Sequence, residues 1–202
     1  MSVALLREPP LALPLDLGPY RRSDYENLPD EPRCELIHGR FYVSPSPLPL
    51  HQVVVGLIWL SFQRAAVGSG GLALFAPVDV ALADHSVVQP DVIYLSAARR
   101  EIVGARIEGA PDLLVEVLSR GTARRDRGEK LALHAESGVR EYWVVDVQER
   151  QIEFLVNEQG RFMVVLPAGE EYRSRTVPEV RLNLPTFWGE VDATLAGSPA
   201  GR

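Results

Sequence analysis

Short apolar runs alternate with polar turns along this chain and predict a mixed α/β structure. The runs 92–95 and 113–118 are rich in Val, Ile and Leu, and Glu116 is the only charged residue of the second run. Continuous apolar runs of this length are typical of central strands. Both are therefore predicted to lie in the middle of a sheet.

Three hairpins are predicted from apolar runs that flank polar or glycine-containing turns. They cover residues 34–43, 72–95 and 151–166. In the first hairpin the turn is His38-Gly39, because glycine tolerates the positive φ that tight turns need. In the second, the strands are 72–82 and 87–95, so Asp91 lies on the returning strand.

Two helices are predicted in the N-terminal half. Ser23 is the predicted N-cap of a short helix that ends at Leu28, with Glu26 three residues on completing a capping box. Residues 51–67 have the length and composition of a helix that is apolar on most faces, and such a helix is expected to be buried.

A strand, a helix and a strand follow one another around Glu116. The helix is predicted over residues 122–137 and closed by Gly138, and the next strand covers 141–147. This order is typical of a crossover that makes the two strands parallel, whereas the hairpins are antiparallel. The pattern therefore predicts an α/β (α+β) fold with a central mixed sheet flanked by helices and extra hairpins near both ends.

The length of 202 residues and the hydrophobic fraction of 46% predict one globular domain. Residues 20–191 form this predicted domain. Residues 1–19 are rich in Pro and Leu and are predicted to be a loosely packed or flexible arm, and residues 192–202 a disordered tail.

Charge and cysteine content narrow the class of protein. The net charge of −6 argues against a non-specific nucleic-acid coat, although a local basic cleft remains compatible with it. One arginine-rich stretch could supply such a cleft or a solvated helix face: Arg120, Arg124, Arg125 and Arg127. Cys34 is the only cysteine, which excludes an internal disulfide and fits a reducing cytoplasm.

The sequence predicts neither export nor a membrane span. The first residues lack a basic segment, and Pro9 and Pro10 interrupt their short apolar run. The longest apolar run elsewhere, 53–62, has about half the length that a span needs. We therefore expect a soluble, cytoplasmic protein.

Asp91 and Glu116 are candidate metal ligands. An unpaired charge inside an apolar strand costs several kcal/mol, roughly, so Glu116 is expected to be protonated, paired or bound to a metal. If the strands 92–95 and 113–118 pair antiparallel, Asp91 lies beside Glu116. Two carboxylates at that place could hold Mg²⁺ through hard oxygen ligands, with Mn²⁺ as a substitute.

Lys130 is the candidate catalytic cation. The chain contains twenty arginines and this single lysine, which favours a position where a compact ammonium is needed. Beside a bound metal, Lys130 could orient an attacking hydroxide or stabilise the charge that develops on a phosphorane. Glu35, in the first hairpin, could supply a further carboxylate or position a water.

Several short motifs together resemble one known family. They are CELIHGR, the PDV at 90–92, GAPDLLVEVLS, the following helix with its lysine, and GVREYWVVD. In order and spacing they resemble the Uma-type restriction endonucleases, a bacterial branch of the PD-(D/E)XK nuclease superfamily. The resemblance extends from about residue 20 to about residue 191.

The resemblance implies a restriction-endonuclease-like core and a magnesium-dependent endonuclease that acts on DNA or another nucleic acid. Asp91 and Glu116 match the two acidic motif positions, and Glu35 matches the early glutamate. The usual lysine, two residues after the second acid, is replaced here by Leu118, and Lys130 matches the helix lysine that substitutes for it in this branch. The oligomeric state stays open, although a two-fold dimer would suit a palindromic duplex.

Three positions outside this set are notable in the resemblance. His38-Gly39 stands where the family usually has Asp-Gly, and His134 stands where it usually has Tyr. His51 matches a histidine often found at the start of the buried helix, where we favour a capping or packing role.

The principal alternative is a nuclease-like module that binds nucleic acid or protein without cutting it. A phosphate-loop nucleotide binder is disfavoured, because Gly121 and Gly128 are too far apart and Lys130 is not followed by Ser or Thr. A serine hydrolase is set aside because the chain has no G-x-S-x-G elbow.

Overall fold

The computed structural model describes residues 17–29, 31–44, 46–119, 121 and 123–196. These residues form thirteen strands, five α-helices and one 3-10 helix. The elements, in chain order, are α1 (Arg22–Glu26), β1 (Cys34–Ile37), β2 (Arg40–Val43), α2 (Pro49–Ser69), β3 (Leu72–Phe75), β4 (Val80–Ala83), β5 (Ser86–Val88), β6 (Val92–Leu95), the 3-10 helix (Ala97–Ile102), β7 (Ile107–Glu108), β8 (Leu113–Val117), α3 (Ala123–Asp126), α4 (Glu129–Glu136), β9 (Glu141–Asp146), β10 (Gln151–Glu158), β11 (Arg161–Val165), β12 (Glu171–Arg173), β13 (Arg181–Asn183) and α5 (Leu184–Ala196).

A six-stranded mixed sheet forms the centre of the molecule. Its strand order is β11-β10-β9-β8-β6-β3, and β8 and β9 are parallel while the other neighbours are antiparallel. The parallel pair is joined through α3 and α4, as the predicted crossover requires. The mixed sheet and the antiparallel pairing of β6 with β8 are confirmed.

The two faces of this sheet pack against different layers, and strand β8 shows the alternation between them. Leu113 and Val115 pack with α2 and α5, whereas Leu114 packs with α4 and the smaller sheet. Glu116 follows the same alternation and shares the face of Leu114. A buried carboxylate on β8 therefore points toward α4 and the smaller sheet.

The smaller sheet has five strands in the order β2-β1-β5-β4-β7. Its first hairpin is confirmed with the predicted bounds, and both turn residues have positive φ, 47° for His38 and 74° for Gly39. This sheet brings β1 alongside β5, at Leu36 and Val87.

The predicted hairpin over residues 72–95 divides between the two sheets. Its outer halves, β3 and β6, pair in the six-stranded sheet, whereas β4 and β5 pair in the five-stranded sheet. The two prolines Pro77 and Pro90 lie at the interruptions, because proline cannot donate to a sheet ladder. Asp91 therefore stands at the junction of the two sheets, immediately before β6.

The helix α1 is capped differently from the prediction. Its N-cap is Arg21, two residues before the predicted Ser23, which lies inside the helix. The backbone N–H of Arg21 donates to Asp24 at 2.8 Å, so Asp24 rather than Glu26 completes the capping box.

The helix α2 extends the predicted 51–67 by two residues at each end. It buries one side, Val54, Val55, Ile58, Phe62, Ala65 and Ala66, against the six-stranded sheet and α5. Its other side is solvent-exposed, and Val67 illustrates this at 78% exposure, so the helix is only partly buried. By length and composition alone, α2 is the one helix of the described residues that could cross a membrane, a test that core helices also pass.

The single helix predicted over residues 122–137 is two helices, α3 and α4, separated at Arg127 and Gly128. A side chain at Gly128 would lie 2.9 Å from the Arg124 carbonyl oxygen, so glycine permits this tight break. As a consequence, Lys130 lies in the first turn of α4 and not two turns into a longer helix.

The C-terminal part contains elements that the pattern did not reveal. The hairpin of β10 and β11 is confirmed, and Phe187 and Trp188 are buried as predicted. However, these two aromatic residues lie on α5, which continues through 192–196 of the predicted tail. The remainder of that tail, 197–202, and residues 1–16 of the predicted arm lie outside the described residues.

Candidate active site

Asp91 and Glu116 lie side by side where β6 and β8 pair. Val92 faces Val115 in this antiparallel pair, so the next position along brings Asp91 opposite Glu116. Asp91 Oδ2 also accepts a hydrogen bond from the backbone N–H of Val117 at 2.8 Å. The antiparallel register of β6 and β8 therefore agrees with the expectation from the sequence that Asp91 lies beside Glu116.

Lys130 joins three carboxylates in this region. Its Nζ lies 2.8 Å from Glu116 Oε1 and 2.8 Å from Glu35 Oε1, and 3.7 Å from Asp126 Oδ1. The side chains of Lys130, Glu35 and Glu116 are 5%, 4% and 6% exposed. All four residues singled out from the sequence, Glu35, Asp91, Glu116 and Lys130, therefore line one cavity.

Glu35 is held from the junction between the two sheets. The backbone N–H of Gln89 donates to Glu35 Oε1 at 2.8 Å. The Gln89 side chain in turn donates to Asp79 Oδ1 at 2.9 Å and to the Tyr25 hydroxyl at 3.2 Å. Sequence reasoning did not find Gln89, because its contribution to Glu35 is a backbone donor that any residue except proline could supply.

Burial and charge compete at the Lys130 cluster. Burial raises the pKa of Glu116 well above its ordinary value, and the charge of Lys130 opposes this rise. Burial by itself lowers the pKa of Lys130, but the charges of Glu116 and Glu35 outweigh it, so that pKa is raised. We regard Lys130 as the charged member, because several carboxylates surround one ammonium.

Asp126 is a member of the cluster that sequence reasoning missed. It lies at the end of α3, is buried, and is four residues before Lys130. Its sequence neighbours are arginines, which made this stretch look like a solvated basic face. The available signal was the spacing of four residues to Lys130, which places both side chains on one face of the helix predicted over 122–137.

His51 contacts a proposed metal ligand instead of capping α2. Its Nε2 lies 3.2 Å from Asp91 Oδ2. Burial lowers the pKa of His51, but the hydrogen bond to Asp91 and the charge of this carboxylate together outweigh it, so the pKa lies above its ordinary value. The capping role considered from the sequence is not found, since no side chain of the described residues caps the start of α2, and the largely buried His51 ring packs against Asp91 instead.

The arginine-rich stretch does not converge on the cavity. Arg125 lies over the Tyr42 ring at 4.0 Å, and Arg127 pairs with Glu153 at 2.8 Å. Arg124 is exposed and does not line the cavity, and Arg120 lies outside the described residues. The described part of this stretch is therefore a solvated and stacked surface.

His134 is a buried neutral residue behind the cluster. Burial and the nearby charge of Lys130 lower its pKa to about 3. Neither ring nitrogen has a hydrogen-bond partner among the described residues, and the ring packs against Tyr142 with 4.9 Å between centroids. His134 is therefore a packing residue of the core beside Lys130.

The cavity has a volume of about 570 Å³ and an excess of negative charge. Its described lining includes two permanent cations, Arg33 and Lys130, and one imidazole, His51. The carboxylates that line it are Glu35, Asp91, Glu116, Asp126, Asp146 and Glu149. A cation that enters would offset this imbalance.

The residues present fit a divalent cation that prefers oxygen ligands. In the described part of the chain, no group of three or more Asp, Glu, His or Cys side chains is arranged to hold a metal ion. Mg²⁺, however, is usually held by one or two carboxylates together with waters and substrate phosphates. The neighbouring carboxylates of Asp91 and Glu116 supply such a pair.

The mixed sheet and its flanking helices form a nuclease-like fold. Among solved structures it is similar to the crystal structure of a "putative nuclease belonging to DUF820" from Anabaena variabilis ATCC 29413. The TM-score is 0.72, the sequence identity is 17%, and the match covers 86% of this chain and 99% of that chain. Likeness at this identity establishes the fold.

The chain belongs to the Uma2 family, described as "Putative restriction endonuclease", whose model matches residues 22–185. The resemblance noted from the sequence motifs and the fold class that it implied are confirmed. The search among curated proteins finds no match.

Proposed function

We propose that this protein is a metal-dependent endonuclease that hydrolyses phosphodiester bonds of DNA. The observation that carries the proposal is the convergence of Asp91 and Glu116, from paired strands, with Lys130 in one cavity. Membership of the Uma2 family and the nuclease-like fold support the same reaction class.

Asp91 and Glu116 would hold Mg²⁺, and Mn²⁺ in its place. Bound there, the ion would polarise a phosphoryl oxygen and lower the pKa of a coordinated water. In the reaction an attacking water gives up one proton to solvent as its oxygen forms a bond to phosphorus, one P–O ester bond breaks, and the leaving oxygen takes up a proton from solvent.

Lys130 orients the carboxylates and stabilises charge. An ammonium group has three N–H donors, and Glu116 and Glu35 engage at most two of them. The third donor faces Asp126 at 3.7 Å, and a phosphoryl oxygen or the attacking hydroxide would compete with Asp126 for it, because developing negative charge benefits most from a desolvated cation. Glu35, held by Gln89, fixes the ammonium in this position.

Cleavage of supercoiled plasmid tests the proposal. Wild-type protein is incubated with Mg²⁺, Mn²⁺ or EDTA beside the variants Asp91→Asn, Glu116→Gln and Lys130→Met. Glu158→Gln, an exposed carboxylate at the end of β10, is the matched control. Circular dichroism and thermal unfolding establish that each variant is folded.

We expect nicking that requires the metal, is lost in the three site variants and is retained in Glu158→Gln. Cleavage that persists in Asp91→Asn and Glu116→Gln would overturn the assignment of the site. If the protein binds DNA but cuts none under any metal condition, the non-cutting binding module becomes the better description.

A further inference from the structure

Arg33 lines the wall of the candidate active site, although no sequence motif identified it as a site residue. It lies immediately before β1 and two residues before Glu35. Since successive side chains of an extended segment alternate, Arg33 projects to the same side as Glu35. Its backbone is fixed, because the N–H of Ser44 donates to the Arg33 carbonyl oxygen at 2.9 Å.

Arg33 lines two neighbouring cavities. One is the candidate active site, and the other has a volume of about 240 Å³ and is lined also by Tyr25, Cys34 and Asp79. Gln89, whose backbone holds Glu35, likewise lines both. Arg33 therefore lies on the wall that the two cavities share.

Within the described part of the chain, no hydrogen bond or ion pair ties down the side chain of Arg33. The other cations of the active-site wall are engaged by carboxylates. Lys130 is held by Glu35 and Glu116, and His51 by Asp91. Of these cations, Arg33 is the one that no carboxylate engages among the described residues.

A phosphodiester strand needs such a cation here. Each phosphate brings a negative charge toward a wall that already has an excess of carboxylates, so its approach is repelled unless cations compensate it. A guanidinium can donate two parallel hydrogen bonds to phosphate oxygens. The nearby Arg125 and Arg127 do not line this cavity: Arg125 stacks on Tyr42, and Arg127 pairs with Glu153.

We propose that Arg33 binds a backbone phosphate of the nucleic-acid strand next to the bond that is cleaved. This inference rests on the proposed nuclease function. Arg33 would bind the strand and offset the repulsion between its phosphates and the carboxylates that line the cavity. Asp91, Glu116 and Lys130 would act on the bond that is cleaved.

Equilibrium binding tests the assignment. The fluorescence anisotropy of a fluorescein-labelled oligonucleotide is measured at several salt concentrations with wild type, Arg33→Ala, Arg33→Lys and Arg64→Ala. Arg64 is the matched control, because it is an exposed arginine of α2 outside the cavity lining. Ca²⁺ replaces Mg²⁺ as an oxygen-binding cation, and gels of the same samples verify that the strand stays intact.

We expect Arg33→Ala to weaken binding about tenfold and to reduce the slope of log affinity against log salt by about 1. Arg33→Lys should fall between, because a lysine restores the charge but not the paired donors. Arg64→Ala should match wild type.

A neutral methylphosphonate at single positions of the oligonucleotide identifies the phosphate. At one position it should weaken wild type but cause no further loss in Arg33→Ala, which is the signature of a direct contact. If wild type cuts DNA while Arg33→Ala binds it with unchanged affinity and salt slope, the Arg33 assignment fails and the nuclease proposal stands. If wild type neither binds nor cuts any strand, both fail.

Discussion

Asp91 Oδ2 accepts the backbone N–H of Val117 at 2.8 Å, so one proposed metal ligand holds the strand beside the other, Glu116. This contact separates structural from chemical effects at Asp91. Asp91→Asn keeps an acceptor for Val117 and should change the free energy of unfolding by less than about 1 kcal/mol, whereas Asp91→Ala leaves the N–H without that acceptor and should cost about 1 to 3 kcal/mol.

Urea denaturation of both variants measures this difference, and plasmid cleavage is expected to be lost in both. Equal destabilisation by Asn and Ala would show that the hydrogen bond to Val117 contributes little to stability.

Lys130→Met should destabilise the protein strongly. It removes the ammonium that lies 2.8 Å from both Glu35 and Glu116 and leaves buried carboxylates uncompensated. Breaking a buried ion pair from one side costs about 3 to 5 kcal/mol. Urea denaturation at pH 7 measures the loss, and adding Glu116→Gln to Lys130→Met should recover part of it. A double variant that is less stable than Lys130→Met alone would contradict this account.

His134 makes stability depend on pH. Its pKa is lowered to about 3 in the folded protein, against an ordinary value of 6.5, so the unfolded chain binds the proton more tightly. The stabilisation from neutral His134 is fully present above pH 6.5 and is lost as the pH falls toward 3. The expected slope is at most about 1.4 kcal/mol per pH unit.

His134→Phe removes this titration while it keeps an aromatic ring beside Tyr142. The free energy of unfolding of wild type minus that of the variant should therefore fall as the pH is lowered from about 6.5 to about 4. A difference that is constant over this interval would show that His134 does not titrate in this way.

Glu141 anchors the C-terminal segment through four donors. Its carboxylate accepts from the Trp143 indole at 2.7 Å, the Tyr172 hydroxyl at 3.0 Å, the Ser174 hydroxyl at 2.7 Å and the Thr176 N–H at 2.9 Å. Glu141→Gln places an amide donor among these donors and should cost about 2 to 3 kcal/mol.

Thermal and urea unfolding measure this cost, with Glu158→Gln as the exposed control, expected within about 0.5 kcal/mol of wild type. Because Glu141 does not line the active-site cavity, cleavage per folded molecule should be unchanged in Glu141→Gln. A loss of cleavage without a loss of stability would contradict a purely structural role.

Local patterns were sufficient for most of the central sheet and for the meeting of Asp91 with Glu116. The charge isolated within β8 and the pairing of apolar strands are both visible in a few consecutive residues. The convergence of Lys130 with Glu35 also agrees with the family resemblance, which relates positions that are distant in sequence.

Other features depend on tertiary contacts that no short stretch encodes. The break at Gly128 depends on the close approach of the Arg124 carbonyl, and the partnership of His51 with Asp91 depends on where the start of α2 lies against the sheet. Two prolines, at 77 and 90, indicate where residues 72–95 divide between the two sheets. The alternation of apolar and polar residues continues across both prolines, however, and therefore favours two uninterrupted strands.

The number of residues in the link Gln89-Pro90-Asp91 matters as much as their identity, because this link joins the two sheets. Deleting or inserting one residue there would shift the alternation of β6 relative to β5 and turn Asp91 away from Glu116. The turn at 159–160, in contrast, can vary in length without altering the spacing of these carboxylates. Natural variants of this fold should therefore tolerate insertions at the outer hairpin and exclude them at the junction of the two sheets.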